Sequence, residues 1–326
     1  MPRRLITVAR FCFVASLAAV ICLGSAGSNA LAQDSSSPTP SAGNSELTTE
    51  LPTVDLPTMN SQGFVFEIQS TFDGTPCGTP ANSPIYLMNQ QNASVDDAKA
   101  IADKLGIKAD VTDDGSGTYS AKGNGSLYVT PGLIQYVSGV QSPDGDLPSD
   151  QQIIATAREW LRGAGQLPAN AGNGSIQTKV ASPAQAIVIF QPVTPSPLLS
   201  STPNITVTVG PKNTVLEAAW RWADLKQGDT YQLRPVDQAF GDVTNQIAYL
   251  QATLPSDKYP DGTTIKGNVI YAGASVAYAS SGVPGEQQYL QPVYVFTGKL
   301  TPDGSDTAYP ITAYVPALVN SNQPVG

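Results

Sequence analysis

The sequence contains no histidine, only 3 cysteines, and only 13% charged residues across 326 positions. Each shortage excludes something. Without histidine there is no Ser-His-Asp or Cys-His relay and no imidazole to hold a metal ion. Acidic side chains outnumber basic ones by 26 to 17, a formal net charge of −9, so the chain has no basic footprint for nucleic acid. Glutamate is scarce as well, with 6 Glu against 20 Asp, and most of the aspartates stand in turn-like contexts. What is plentiful is turn chemistry, 29 Gly and 27 Pro, beside an apolar content of 41%. That apolar share is too high for a wholly disordered chain, and the length allows one large domain or two ordinary ones.

Residues 1–32 read as a secretory signal peptide. Arg3, Arg4 and Arg10 form a basic leader, Phe11 to Leu23 an apolar run, and Ala30-Leu31-Ala32 the small residues of a cleavage site. The apolar run has 13 residues, short of the ~20 that a spanning helix needs. A membrane anchor reaching back to Leu5 is the alternative. Cys22 follows Ala-Val-Ile, so no lipid anchor is predicted. Cleavage would remove Arg3, Arg4 and Arg10 from the 17 basic residues while leaving all 26 acidic ones, a net charge of −12, and Cys77 would be the sole remaining cysteine. One cysteine forms no internal disulfide, and Cys77 lacks a neighbour to lower its pKa. Residues 33–60, rich in Ser, Pro and Thr, are predicted to be a disordered linker.

Further on, Phe64–Ile68 and Pro84–Leu87 read as strands. Ser94 caps a helix carrying Val95, Ala98, Ile101, Ala102 and Leu105 at helical spacing, and Gly106 ends it. Short strands follow near 117–120, 126–130 and 133–138. Pro143-Asp144-Gly145-Asp146 looks like a boundary. Ser149, with Gln152 three residues on, opens a second helix whose apolar face is Ile153, Ile154, Ala157, Trp160 and Leu161. Ala186–Phe190 is a buried strand. Ile205, Val207 and Val209 alternate with threonines, Gly210–Asn213 turns the chain, and Thr214–Trp222 returns as a strand with Leu216, Ala218, Trp220 and Trp222 on one face. A helix over Leu216–Leu225 is the rival reading. Pro235 starts a third helix, and strands near 268–280, 289–297 and 308–315 close the chain. The predicted fold is therefore α+β with antiparallel sheets. It comprises two modules, each a helix packed on a β-meander, over 61–142 and 147–320, with a tail at 321–326.

No catalytic signature is present. Gly273-Ala274-Ser275-Val276-Ala277 fails as a nucleophile elbow, and no S-x-x-K, P-loop or dinucleotide fingerprint occurs. Asp110-x-x-Asp113-Asp114-Gly115 and Asp257-x-x-x-Asp261-Gly262 depart from calcium-loop spacing and read as turns. Glu67, Glu159 and Glu217 stand on predicted elements as candidates for paired-carboxylate chemistry, but nothing in the sequence brings them together. No catalytic residue, cofactor or metal ligand is assigned. Trp220 and Trp222 are the candidate ligand or partner surface, as an aromatic platform for glycan or peptide, against a plain role in the core.

The C-terminal third carries a resemblance. Arg234-Pro235-Val236-Asp237-Gln238-Ala239-Phe240 is followed by a strand ending Val276-Ala277-Tyr278, then Tyr289-Leu290-Gln291-Pro292-Val293-Tyr294-Val295-Phe296 and Ala313-Tyr314-Val315-Pro316-Ala317. Over 234–320 this resembles YycH/YycI-type extracytoplasmic regulators of two-component sensor kinases, and the helix-on-meander unit is similar to PepSY-type modules. The resemblance implies a non-catalytic protein outside the cytoplasm, secreted or anchored through residues 5–24, that contacts a protein partner at the cell envelope. Nucleic acid is not an expected partner, and the membrane is one only through an uncleaved N-terminal segment. A secreted ligand- or glycan-binding module and an enzyme with paired carboxylates are the alternatives.

Overall fold

The computed structural model describes residues 51–54, 56, 63–74, 79–90, 93–200, 202–281 and 288–319. The signal segment, most of the linker, Cys77 and the tail from 320 lie outside the described residues. The chain starts with β1 (Val65–Phe72) and β2 (Asn82–Gln90). It then runs through α1 (Val95–Lys104), β3 (Thr112–Asp113), β4 (Tyr119–Lys122), β5 (Gly125–Thr130) and β6 (Leu133–Ser138). Next come α2 (Asp150–Gly163), β7 (Ser175–Ala181), β8 (Ala184–Phe190), β9 (Asn204–Gly210) and β10 (Thr214–Arg221). It closes with β11 (Ala223–Gln232), α3 (Val236–Thr244), β12 (Tyr249–Ala252), β13 (Thr264–Ser281), β14 (Gln288–Pro302) and β15 (Tyr309–Pro316).

These strands form two large sheets, which overturns the expected α+β arrangement of two helix-on-meander modules. The described residues are mostly strand, with three α-helices among them. The first sheet has seven strands, in the order β1-β13-β14-β15-β12, with β2 joining β14 and β11 joining β2. It is not purely antiparallel, because β1 runs parallel to β13 from Val65↔Thr264 to Phe72↔Tyr271. The second sheet has eight strands in the order β3-β4-β5-β6-β10-β9-β8-β7. The expected boundary at Pro143–Asp146 falls inside this second sheet, because β6 and β10 pair across it, Ile134 opposite Trp220. The connectivity instead inserts α1 through β10 between two neighbours of the first sheet, β2 and β11.

Local chemistry explains the elements that the sequence did announce. At α2, Gln152 N–H donates to Ser149 Oγ while Gln152 Oε1 accepts from Ser149 N–H, a reciprocal cap. Ile153, Ala157 and Leu161, one turn apart, are fully buried. In β13, Ile265, Val269 and Tyr271 point into the core while Lys266, Asn268 and Ile270 face outward. The long β13–β14 hairpin needs one close approach, since a Cβ on Gly298 would lie 2.6 Å from the Ile270 carbonyl oxygen.

The first sheet is covered on both faces. On one, α3 and the β1 side chains pack around Tyr271, Tyr294, Phe296 and Leu300. On the other, Leu56 covers Ala277, Ala279, Val293 and Val295. Residues 51–54 and 56 therefore belong to the fold, correcting the expected linker over 33–60 at its C-terminal end. Leu51 and Leu56 are buried, Val54 bridges to Ser281, and Gln291 Nε2 donates to the Pro52 carbonyl at 2.7 Å. The spaced leucines in Leu51-Pro52-Thr53-Val54-Asp55-Leu56 supply the apolar contacts that a disordered tether lacks. The β8–β9 loop also crosses to the first sheet, where Leu199 N–H donates to Tyr278 O and Tyr278 N–H to Pro197 O.

Candidate functional site

On the second sheet, α1 and α2 lie on the same face. Leu127 and Val129 of β5 pack with α1, and they sit opposite Tyr136 and Ile134 of β6. Those two in turn sit opposite Ala218 and Trp220 of β10, which pack with α2. Paired strand residues share a face, so the whole row points at the helices. Between the helices one end of the gap is filled. Trp160 of α2 stacks on Trp220 at 5.6 Å between ring centroids and tilts against Tyr136 at 5.1 Å. The Trp220 indole donates to the Gln166 carbonyl at 3.1 Å. Such contacts hold α2 to the sheet by about 0.5–1.5 kcal/mol per ring pair beyond area burial.

The other end of the gap is open. It is a groove of about 800 Å³, floored by Ile134 and the two tryptophans, with Asp97, Ala100 and Lys104 of α1 as one wall. The loop after α2, residues 165–170, is the opposite wall, and Asp224 of the first sheet also lines the groove. Lys104 reaches over to the second helix, since a Cβ on Gly165 would lie 2.6 Å from Lys104 Nζ. That places an ammonium beside the carbonyl end of α2, where the helix dipole favours it. Asp97 accepts a hydrogen bond from the Ser94 hydroxyl at 2.5 Å. Among the described residues neither Asp97 nor Asp224 is ion-paired.

The predicted aromatic platform divides. Trp220 is 3% exposed and belongs to the core. Trp222 lies just past the end of β10, partly exposed at the groove, and its indole N–H is shielded from water without a hydrogen-bond partner. A β-bulge between Val215 and Glu217 also changes the face read from the sequence. Val215 takes the inward place expected of Leu216, because one extra residue inverts the alternation on its N-terminal side.

The three candidate glutamates do not gather. Glu67 pairs with Lys266 on the first sheet, Glu159 pairs with Arg162 on α2, and Glu217 is exposed on the face of β10 opposite the helices. Asp114 is a turn residue, accepting from the Ser116 N–H at 2.8 Å and its hydroxyl at 2.7 Å. These bonds hold its carboxyl below the usual carboxylate range. Sequence reasoning missed Asp97, Lys104, Asp224 and the 165–170 loop as one site. Gly163 and Gly165 are fitting residues at which to end α2 before this loop, but nothing local announces that β6 pairs with β10 and so sets the two helices side by side.

Among the described residues no helix is long and apolar enough to cross a membrane. No family model matches the chain, and no curated protein does. Two solved structures are similar in outline. One is an uncharacterized protein from Eubacterium rectale ATCC 33656, with a TM-score of 0.43 and 10% identity, over 80% of this chain and 91% of that one. The other is the Bacillus megaterium YpeB C-terminal domain, with a TM-score of 0.32 and 11% identity, over 70% of this chain and 99% of that one. Both TM-scores fall below 0.5, so neither likeness carries an argument, and neither is described as a YycH- or YycI-type protein.

Proposed function

We propose that this chain is an exported, non-catalytic protein of the cell envelope that acts by holding a partner protein, and that the groove between α1 and α2 is where it does so. The observation that carries the reading is the groove itself: an apolar floor rimmed by charges and left open by a helix pair that closes only at its other end. Export rests on the leader at residues 1–32. Regulation of an envelope sensor is the concrete form that the resemblance over 234–320 suggests. A glycan platform of paired indoles is less well supported, because Trp220 is buried.

The test is a photo-cross-linking residue placed at Ala100, exposed in the groove wall, and another at Lys299, exposed on the first sheet. Both are expressed in the native host. The expected result is one discrete envelope protein captured from position 100 and not from 299, and lost when Leu133 at the groove mouth becomes Trp. Equal capture from both positions, or none from 100, overturns the reading.

A further inference from the structure

We infer that the groove takes an extended, positively charged peptide segment that lays an apolar side chain onto Ile134 and Trp222. This rests on the reading of the groove as the partner site and names the chemistry of what enters it. Size comes first. From Asp97 to Lys104 the α1 wall runs about 10 Å at 1.5 Å per residue. An extended segment covers that length with about three residues at about 3.3 Å each. Half-exposed indole and aliphatic surface at the floor suits one buried anchor side chain in an otherwise open site.

Charge decides the sign of the ligand. Three charged side chains line the groove, Asp97, Lys104 and Asp224. The Lys104 ammonium is already directed to the carbonyl end of α2. Two carboxylates then remain for a ligand, in a chain of net charge −9, and an approaching cationic segment is favoured over an anionic one. Trp222, partly exposed at the groove, supplies the aromatic part of its floor. A glycan is disfavoured because stacking on sugar needs open ring faces, and Trp220 has none.

The experiment uses the full chain purified from its host and its own fluorescence, since all 3 tryptophans, Trp160, Trp220 and Trp222, lie in the groove floor or the stack beside it. The probes are end-blocked Lys-Leu-Lys-Leu-Lys, its Glu-Leu-Glu-Leu-Glu counterpart, and chitotriose. The basic peptide is expected to saturate the signal about tenfold or more tighter than the acidic one at low salt, and to weaken several-fold as salt is raised. The D97N/D224N double variant, nearly isosteric at two exposed positions, is expected to shrink that preference to roughly threefold or less. Trp222→Phe keeps an aromatic side chain but trims the indole surface of the floor, and is expected to weaken the basic peptide about three- to tenfold. Equal or tighter binding of the acidic peptide or chitotriose overturns the inference. So does a preference that survives D97N/D224N, or no response to the basic peptide. If peptides fail while cross-linking from position 100 persists, only the ligand chemistry is wrong. If that cross-link is absent too, the groove reading fails with it.

Discussion

The eight-stranded sheet is drawn from one unbroken stretch of chain, whereas the seven-stranded sheet is assembled from both sides of it. The longest separation paired in the former is about 86 positions, Ile134 with Trp220, while β1 meets β13 across about 200. The inserted sheet keeps one face open and puts two helices and a groove on the other. The first sheet has apolar clusters on both faces and spends its length on a deep core. On the proposed reading this is a division of labour: the first sheet is the fixed body, and the partly filled helix gap on the inserted sheet is where a partner would be held. The two also differ in their reporters. All three tryptophans belong to the apolar cluster between α2 and the inserted sheet, and the tyrosines with raised pKa values stand on strands of the other.

The largest expected effect separates the sheets by pH. Burial raises the hydroxyl pKa of Tyr86, Tyr231, Tyr271, Tyr278, Tyr294 and Tyr314 above the ordinary 10.0, most strongly at Tyr271. The folded state holds these protons more tightly than the unfolded one. Their contribution is therefore complete below about pH 10 and is lost as the pH rises through the folded-state values. In an alkaline titration the first sheet should unfold first, seen as tyrosinate absorbance, while tryptophan emission stays native to higher pH. Coincident transitions would break the comparison and make the molecule one cooperative unit.

Core truncations sharpen the same contrast. Phe296, fully buried beneath α3, should cost about 3–5 kcal/mol when changed to Ala, and Leu161 on the buried face of α2 about 2–5 kcal/mol. Urea unfolding followed by tryptophan emission should respond chiefly to Leu161→Ala. Hydrogen exchange of β13 and β14 should respond chiefly to Phe296→Ala. A Phe296→Ala variant that lowers the tryptophan midpoint as much as Leu161→Ala would show that the inserted sheet depends on its host.

The contrast also explains what could be read in advance. Caps, turns and alternation are local, so Ser149 with Gln152, the Ile205–Val209 alternation and the run ending at Phe190 each announce their element. Pairing is not local. Nothing in Val65–Phe72 says that it lies parallel to residues 200 positions away, or that Ala223 pairs back to Gln90. Local turn chemistry at Pro143–Asp146 therefore suggests a boundary between modules where the β6–β10 pairing joins the two sides. Of the site, Trp222 was legible as an aromatic near a strand end. Asp97, Lys104 and Asp224 were not, because each is an ordinary charged residue until tertiary contacts bring the three together.

A smaller effect tests the segment that straps the first sheet. Gln291 is 3% exposed and donates to Pro52 O and to the Ser281 hydroxyl at 2.6 Å. Gln291→Ala leaves the buried Ser281 hydroxyl and the partly buried Pro52 carbonyl without this donor, and about 1–3 kcal/mol of local stability should go with it. Faster hydrogen exchange at Val54 and Ser281, with β7–β10 unchanged, is the expected signature. Unchanged exchange at Val54 would mean that Leu51 and Leu56 alone hold the segment.

The smallest effect has the opposite sign. Tyr271 is fully buried, its ring 5.7 Å from Phe240 and 6.4 Å from Phe296 between centroids, and its hydroxyl has no well-formed hydrogen bond. The Ser70 hydroxyl is its polar neighbour and is equally unsatisfied; it offsets only a little of the rise that burial imposes on the Tyr271 pKa. Tyr271→Phe keeps the ring contacts and removes an oxygen that was desolvated without compensation. Stability at neutral pH should stay the same or rise by up to about 1 kcal/mol, and part of the alkaline sensitivity of the first sheet should vanish. A loss larger than that gain would require a partner for the oxygen, and a water shared with Ser70 is the group that fits. Ser70→Ala would then cost as much as Tyr271→Phe, and the double variant no more than either alone.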